Sequence, residues 1–380
     1  MKIVLSGVET NNKGAELMLY AILQEIERRY PDAVVYIPKN RINQGLSYIK
    51  TKLDFRLTPF EAFEQKLYLA PIFARLKMSF RILPHMVALG RVDYFIDGSG
   101  FRFSDQFKFS NHYDAILQGQ LSAFRKKGAK IIYLPQAFGP FEKKQSKAAL
   151  TVLNKYVTVL MPREKVSLNY ISESGVFDME KVRMFTDFTS LVEGIFPVQY
   201  EHLRNGICII PNSQMINKGA ISMDAYLEML RLVFSISSST GRKVYMLNHA
   251  GWQDKELCNS IRQLVTNDIE TVTDLNALEV KGLISSAYLV ITSRFHGLAS
   301  ALNSCVPALS TSWSHKYEEL YRDYALESYV LPLNDNTKAV EGIRKLLDTG
   351  ENVRIREHLK KHVPLVKEQT RAMWNTIWNM

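Results

Sequence analysis

Residues 287–320 read AYLVITSRFHGLASALNSCVPALSTSWSHKYEEL, and their order decides the class of fold. Ala287 to Ile291 is a short apolar run, Ser293–Arg294–Phe295–His296–Gly297 a polar turn, and Leu298 to Ser304 a segment rich in small residues. That succession reads as strand, tight turn, helix. Val306 to Ser310 is a second buried strand, followed by another charged loop, Ser314–His315–Lys316–Tyr317–Glu318. In a parallel α/β sheet the turn after a strand opens on the ligand crevice, and the helix start beyond it favours anions. Arg294 and His296, two residues apart, can grip an acidic substrate and move a proton. A buried arginine at such a turn needs an anionic partner. His315 and Lys316 add two prospective cations beyond the neighbouring strand, although exposed pairs of this kind are also common on plain surfaces.

The same alternation extends in both directions. Ile3 to Val8 is a strand, and Ala15, Met18, Leu19, Ile22, Leu23 and Ile26 recur at helical spacing. Val34 to Ile37, Tyr94 to Ile96 and Lys130 to Leu134 continue the strands, the last expected to stop at Pro135. A helix is expected over about 113–127. A second series starts near Gly206: strand Ile207 to Ile210, a helix over about 223–238, strand Lys243 to Leu247, a helix over about 255–265, and strand Ile269 to Val272. Strands alternating with helices on this scale predict parallel sheets covered on both faces. The boundary is placed at residue 200, within Pro197 to Asn205, giving domains 1–200 and 201–380 with a ligand cleft between them. The tail from Val353 is expected to be helical and to pack back onto the first domain.

A chain of 380 residues exceeds what one core usually serves. It is 46% apolar and 23% charged, as in ordinary globular proteins, with no apolar run long enough to span a bilayer and no signal-peptide pattern. Cys208, Cys258 and Cys305 lie far apart without metal spacing and read as reduced core residues, which points to the cytoplasm. The net charge of +10 is uneven: residues 39–91 hold ten Lys/Arg against three Asp/Glu, interleaved with aromatics. Such a segment is either a solvated face of covering helices or a contact for an anionic membrane surface. No nucleic-acid motif appears, and a nucleic-acid partner is not expected.

Other strand ends carry further candidates. Ser6–Gly7 through Gly14 joins the first strand to the first helix, and its asparagines, Asn12 among them, offer ligand contacts or a simple turn. It is neither a Walker loop nor G-x-G-x-x-G. Asp97–Gly98–Ser99–Gly100 and Gln136 to Pro140 are ordinary loop punctuation or site walls. Arg163 follows the apolar run Val157 to Met161 and is either an anion fork or a surface ion pair with Glu164 or a neighbouring carboxylate. His249 is a structural histidine or an acceptor contact, while Asp187 and Glu318 are isolated acids with no evident partner.

Taken in order, NNKGAELMLYAI, DGSGF, LPQAFGPF, PREKVSLNYISESGV, TDFTSLV and the SRFHG segment resemble the polysaccharide pyruvyl transferase family. The likeness covers most of the chain outside the basic segment and the tail. It implies two Rossmann-like α/β domains in a GT-B-like arrangement, and transfer of pyruvate from phosphoenolpyruvate to two hydroxyls of a sugar, forming a pyruvate ketal. It implies that Arg294, His296 and the Phe295 N–H bind the donor, with Arg163 as an earlier arginine. His315 and Lys316 join them as donor contacts. Asn12, Gln136, His249 and Glu318 are the candidate acceptor contacts. A carboxylate and a phosphate on one small donor call for several cationic donors. His296 is the candidate general acid, expected to take up its proton chiefly when the donor is bound. No step needs a metal, no cofactor is expected, and phosphoenolpyruvate enters as substrate. The acceptor is a sugar or lipid-linked saccharide of capsule or exopolysaccharide synthesis, met in the cytoplasm or at the inner membrane face. The rivals are a GT-B glycosyltransferase using a nucleotide sugar, and a non-catalytic assembly or nucleic-acid-binding protein.

Overall fold

Short runs of branched apolar residues, too brief for helices and buried on both faces, form the sheets. The computed structural model describes residues 1–37, 91–107, 109, 113–265, 269–311, 314–331 and 335–380. All of the basic segment except Arg91, including Lys50, Lys52, Arg75 and Lys77, lies outside the described residues. The chain divides into two compact units. The first comprises residues 1–10, 18–188 and 373–380, and the second residues 11–17 and 189–372. The division thus falls after Phe188, ahead of the 197–205 segment.

In chain order the leading elements are β1 (Lys2–Ser6), α1 (Lys13–Arg29), β2 (Val34–Tyr36), β3 (Tyr94–Asp97), β4 (Phe101–Phe103), α2 (Tyr113–Lys126), β5 (Lys130–Phe138), α3 (Lys144–Tyr156), β6 (Val159–Pro162) and α4 (Lys165–Glu173). The strands form a parallel sheet in the order β2-β1-β3-β5-β4, with β6 also paired to β5. β5 does not stop at Pro135. It runs on to Phe138, and the proline falls where the β5–β6 register shifts, between Tyr133 and Gln136, so its missing N–H breaks no regular ladder. Gln136 is therefore a buried strand residue rather than part of a loop. At the same edge of the sheet, after β1, Gly7 has φ 73°, and a Cβ there would stand 2.7 Å from the Ser99 backbone nitrogen, so only glycine fits the turn.

The second unit continues with β7 (Ile207–Ile210), α5 (Gln214–Asn217), α6 (Met223–Ser238), β8 (Val244–Leu247), α7 (Gly251–Val265), β9 (Glu270–Val272), α8 (Ala277–Ser285), β10 (Leu289–Thr292), α9 (Phe295–Asn303), β11 (Ala308–Thr311), α10 (Lys316–Asp323), β12 (Val330–Leu331), α11 (Asn336–Leu347) and α12 (Thr349–Trp378). Its sheet is parallel throughout, in the order β12-β11-β10-β7-β8-β9. Thr292 is paired with Ile210 on one side and Ser310 on the other, so the turns after β7, β10 and β11 emerge together. Ile209, Leu247, Leu289, Val290 and Leu298 are among the residues of its core, each worth about 1.5–3 kcal/mol on burial. Helix starts are capped where the sequence allows it: Asn276 and Glu279 form a reciprocal capping box on α8. The last eight residues, at the end of α12, belong to the first unit, where Trp378 donates to Glu25 Oε1 at 3.0 Å and meets Tyr30 and Tyr94 edge-on at 5.2 Å.

Candidate functional site

The turn after β10 is held by a buried hydrogen-bond network from several elements. The Ser293 N–H donates to Ile210 O at 3.0 Å, while the Ser293 carbonyl accepts from Asn212 Nδ2 and from Tyr317 OH, each at 2.7 Å. The Ser293 hydroxyl pairs with Tyr226 OH at 2.7 Å and accepts from Thr311 Oγ1 at 2.6 Å. Burial pushes the Tyr226 phenol up to about 12, so it stays protonated and able to donate. With both its carbonyl and its hydroxyl engaged, the turn has little freedom to move.

Arg294 then leaves the turn as the N-cap of α9, in extended conformation and without a side-chain cap of its own. Its Nε donates to Asp254 Oδ2 at 2.8 Å, and Nη2 bonds the same carboxylate. Asp254 has no solvent exposure and also accepts from the Ser213 N–H at 3.0 Å and Ser213 Oγ at 2.8 Å. The partner that a buried arginine requires is therefore internal. Sequence reading missed it because α7 was expected to begin near residue 255, whereas it begins at Gly251 and carries Asp254 in its first turn. An acidic residue three positions after a glycine, in what becomes the first helical turn, was the available signal. With Nε and Nη2 committed, Nη1 is the edge of the guanidinium left for a substrate anion.

His296 lies half-buried in the first turn of α9, its ring edge-on to Phe295 at 5.1 Å. Phe295 is buried and meets Tyr317 at 6.0 Å, and the Lys316 ammonium stands 5.8 Å from the Phe295 ring centre. His315 is the N-cap residue of α10, and its carbonyl accepts from the Glu319 N–H. Glu318, foreseen as an acceptor contact, is exposed on α10, while the adjacent Glu319 is buried and pairs with Arg322.

Residues 11–17 complete this side of the second unit. Asn12 bridges Ala250, its Oδ1 accepts from the Gly14 N–H at 2.9 Å, and the Lys13 N–H donates to the His249 carbonyl at 3.1 Å. Asn12 thus caps the start of α1. His249 is only 3% exposed, and its Nδ1 has no hydrogen-bond partner among the described residues. Burial first, then the charges of Arg294, His296 and Lys13, hold its pKa well below the usual imidazole range, which keeps it neutral near pH 7. The structure therefore brings Asn12, Lys13, His249, Arg294 and His296 together at the start of α9, the positive end of that helix.

Gln136 and Arg163 belong to the first unit. Both side-chain polar atoms of Gln136 are buried without a partner among the described residues, and its carbonyl accepts from the Arg163 N–H at 3.0 Å. Arg163 does have an acidic neighbour, but the pair is not on the surface. Its guanidinium is 4% exposed, 3.6 Å from Glu164 and 3.5 Å from Asp187, so Asp187 is not the isolated acid that the sequence suggested. Among the described residues no cluster of three or more His, Cys, Asp or Glu could hold a metal, and no helix is long and apolar enough to cross a membrane.

The sequence profile of the family described as polysaccharide pyruvyl transferase matches residues 12–315, most of the chain. No curated protein matches it. Among solved structures, HepE from Anabaena, in complex with UDP and glucose, has a TM-score of 0.63 at 12% identity over 100% of both chains. The UDP-GlcNAc 2-epimerase of Methanocaldococcus jannaschii has a TM-score of 0.61 at 10% identity, again over 100% of both. WaaG, a glycosyltransferase involved in lipopolysaccharide biosynthesis, has a TM-score of 0.57 at 12% identity over 98% of each chain. At these identities the likeness is one of fold. The expectation of Rossmann-like α/β units of GT-B type is borne out.

Proposed function

The chain belongs to the polysaccharide pyruvyl transferase family, and from that premise we propose that it transfers the pyruvyl group of phosphoenolpyruvate to two hydroxyls of one sugar, closing a cyclic ketal. The observation that carries this reading is the start of α9, where an arginine anchored by a buried carboxylate stands beside a half-buried histidine at the positive end of the helix. Arg294 Nη1 and the α9 N–H groups, Phe295 among them, bind the donor's carboxylate and phosphate, helped by Lys316, His315 and Lys13. The family's earlier arginine corresponds to Arg163, whose charge is already opposed by two acids, so its share is the smaller one. His249, foreseen as an acceptor contact, is better suited to the donor, because the cations around it are the same ones that would hold an anion.

His296 gives its proton to C3 of the donor, which becomes the methyl group and leaves positive charge at C2. One sugar hydroxyl attacks C2 and passes its proton to the now neutral His296. The C2–O bond to phosphate breaks, the pair leaving with the phosphate, and the second hydroxyl attacks C2 to close the ring, its proton going to the departing phosphate. The products are the ketal and inorganic phosphate. Gln136, Asn12 and Glu318 are the candidates for contact with the acceptor. The lipid-linked nature of that acceptor, a place in capsule or exopolysaccharide synthesis, and cytoplasmic work at the inner membrane face belong to the same proposal. Charge reversal of Lys50, Lys52, Arg75 and Lys77 tests the membrane contact: unchanged liposome binding removes it.

A thermal-shift titration with phosphoenolpyruvate and a panel of nucleotide sugars tests the donor. Stabilisation by phosphoenolpyruvate, weakened by Arg294→Ala and His296→Ala, is expected. Stabilisation by a nucleotide sugar alone moves the chemistry to glycosyl transfer, the activity of one fold neighbour, WaaG.

A further inference from the structure

Gly14 stands in the first turn of α1, where glycine is a poor choice. It weakens a helix relative to alanine, and its φ is not among the positive values that would demand it. Its surroundings supply the reason. A Cβ built on Gly14 would lie 2.8 Å from His296 Cγ and 3.0 Å from His296 Cβ, and closer still to Nδ1. A side chain and its imidazole cannot both occupy that space, so any substituent must push the ring. The bare backbone of a segment some 280 residues away in sequence therefore forms the seat of the ring proposed to protonate the donor.

The turn that carries Gly14 is itself fastened in three places. Asn12 bridges Ala250, the Lys13 N–H bonds the His249 carbonyl, and Glu16 is buried completely. The Glu16 carboxylate receives the Lys13 ammonium on Oε2 at 2.7 Å, while its buried Oε1 has no hydrogen-bond partner among the described residues and faces the start of α8. Burial outweighs the Lys13 contact and raises its pKa. Gly14 and Glu16, two positions apart, face different sides of the helix, one toward His296 and one toward α8. All of these residues belong to the second unit.

We propose that the first turn of α1 is the positioning element for His296, with Gly14 as the surface on which the imidazole rests and the fully buried Glu16 as the side chain that fixes the turn. This rests on the reading of His296 as the group that meets phosphoenolpyruvate. Arg294 is fixed separately, by Asp254 and Ser213. Disturbing the seat should therefore move the imidazole, cost no more donor affinity than removing it does, and leave the Arg294 contact in place. A misplacement of about 1 Å at a reacting group can cost on the order of 100-fold in rate.

The test is NMR of the full-length chain labelled at histidine Cε1, with His296→Gln identifying the His296 signal, alongside calorimetric titration with phosphoenolpyruvate. For Gly14→Ala the expected result is a displaced His296 signal that no longer responds to phosphoenolpyruvate, with a loss of donor affinity no larger than that of His296→Ala and smaller than that of Arg294→Ala. Glu16→Ala should displace the same signal, and Glu16→Gln, which keeps the shape, should restore it. This pair keeps the test open if Gly14→Ala does not fold. A wild-type His296 signal and response in Gly14→Ala overturns the proposal, as does a loss of donor affinity matching that of Arg294→Ala. A Glu16→Ala signal identical to wild type removes Glu16 from that role. If the wild-type signal ignores phosphoenolpyruvate but answers a nucleotide sugar, the functional reading fails, while the displacement in ligand-free Gly14→Ala still decides the positioning.

Discussion

Arg163 and Arg294 occupy the same local pattern, an arginine just beyond a parallel strand and just before a helix, yet they are held differently. Arg294 has one carboxylate partner, Asp254, gripped through two nitrogens, and its side chain keeps 12% exposure. Arg163 lies between Glu164 and Asp187 at 3.6 and 3.5 Å and is 4% exposed. One guanidinium against one carboxylate leaves a balanced pair with a free edge. One between two has both carboxylates to answer. A strand-Arg-helix pattern therefore identifies where an anion receptor can be built, and the count of surrounding carboxylates decides whether the arginine has charge to offer.

The largest expected effect tests the grip on Arg294. Asp254→Ala strands a guanidinium in a nearly closed site, and chemical denaturation should show a loss of about 3–5 kcal/mol. A loss below 1 kcal/mol would mean that solvent already carries that charge, and the comparison with Arg163 would collapse. Donor affinity gives the next contrast. Arg294→Ala should weaken phosphoenolpyruvate binding by about 10- to 100-fold, the worth of a charge-assisted hydrogen bond. Arg163→Ala should weaken it less. Equal losses would show that Arg163 is available to the donor despite its two acids, restoring it to equal rank.

The smallest effect concerns the cationic surroundings of His249. Its folded pKa lies below the usual value of 6.5, so under acid the unfolded chain binds a proton that the folded chain refuses. Stability attributable to this residue is complete above pH 6.5 and is lost as pH falls below it, by up to about 1.4 kcal/mol per pH unit for one proton. His249→Gln should flatten the acid limb of a stability profile by that amount. An unchanged limb would remove His249 from the cationic cluster.

Much of this was legible in the chain. Strand runs such as Ile207 to Ile210 were read at their observed limits, because a doubly buried strand needs uninterrupted apolar residues. Arg294 and His296 stood out as polar residues at a strand-to-helix turn. Asp254 did not, because its place depends on where α7 begins, and helix ends are set by caps and contacts more than by periodicity. Pro135 was misread as a stop, since a register shift that spares its missing N–H exists only between paired strands. Glu318 and Glu319 are neighbours of equal composition, and only packing of α10 made one exposed and the other buried.

Hydrophobic periodicity and turn chemistry are local properties, so the order of strands and helices, the α/β class and the address of the candidate site at the end of β10 were all contained in the linear chain. The pairing of Arg294 with Asp254, the suppression of His249 and the seating of His296 on Gly14 join residues 40 to 282 positions apart. Distances of that kind are set when parallel strands bring remote turns to one edge and burial removes the water that would otherwise screen their charges. Only the folded chain decides them.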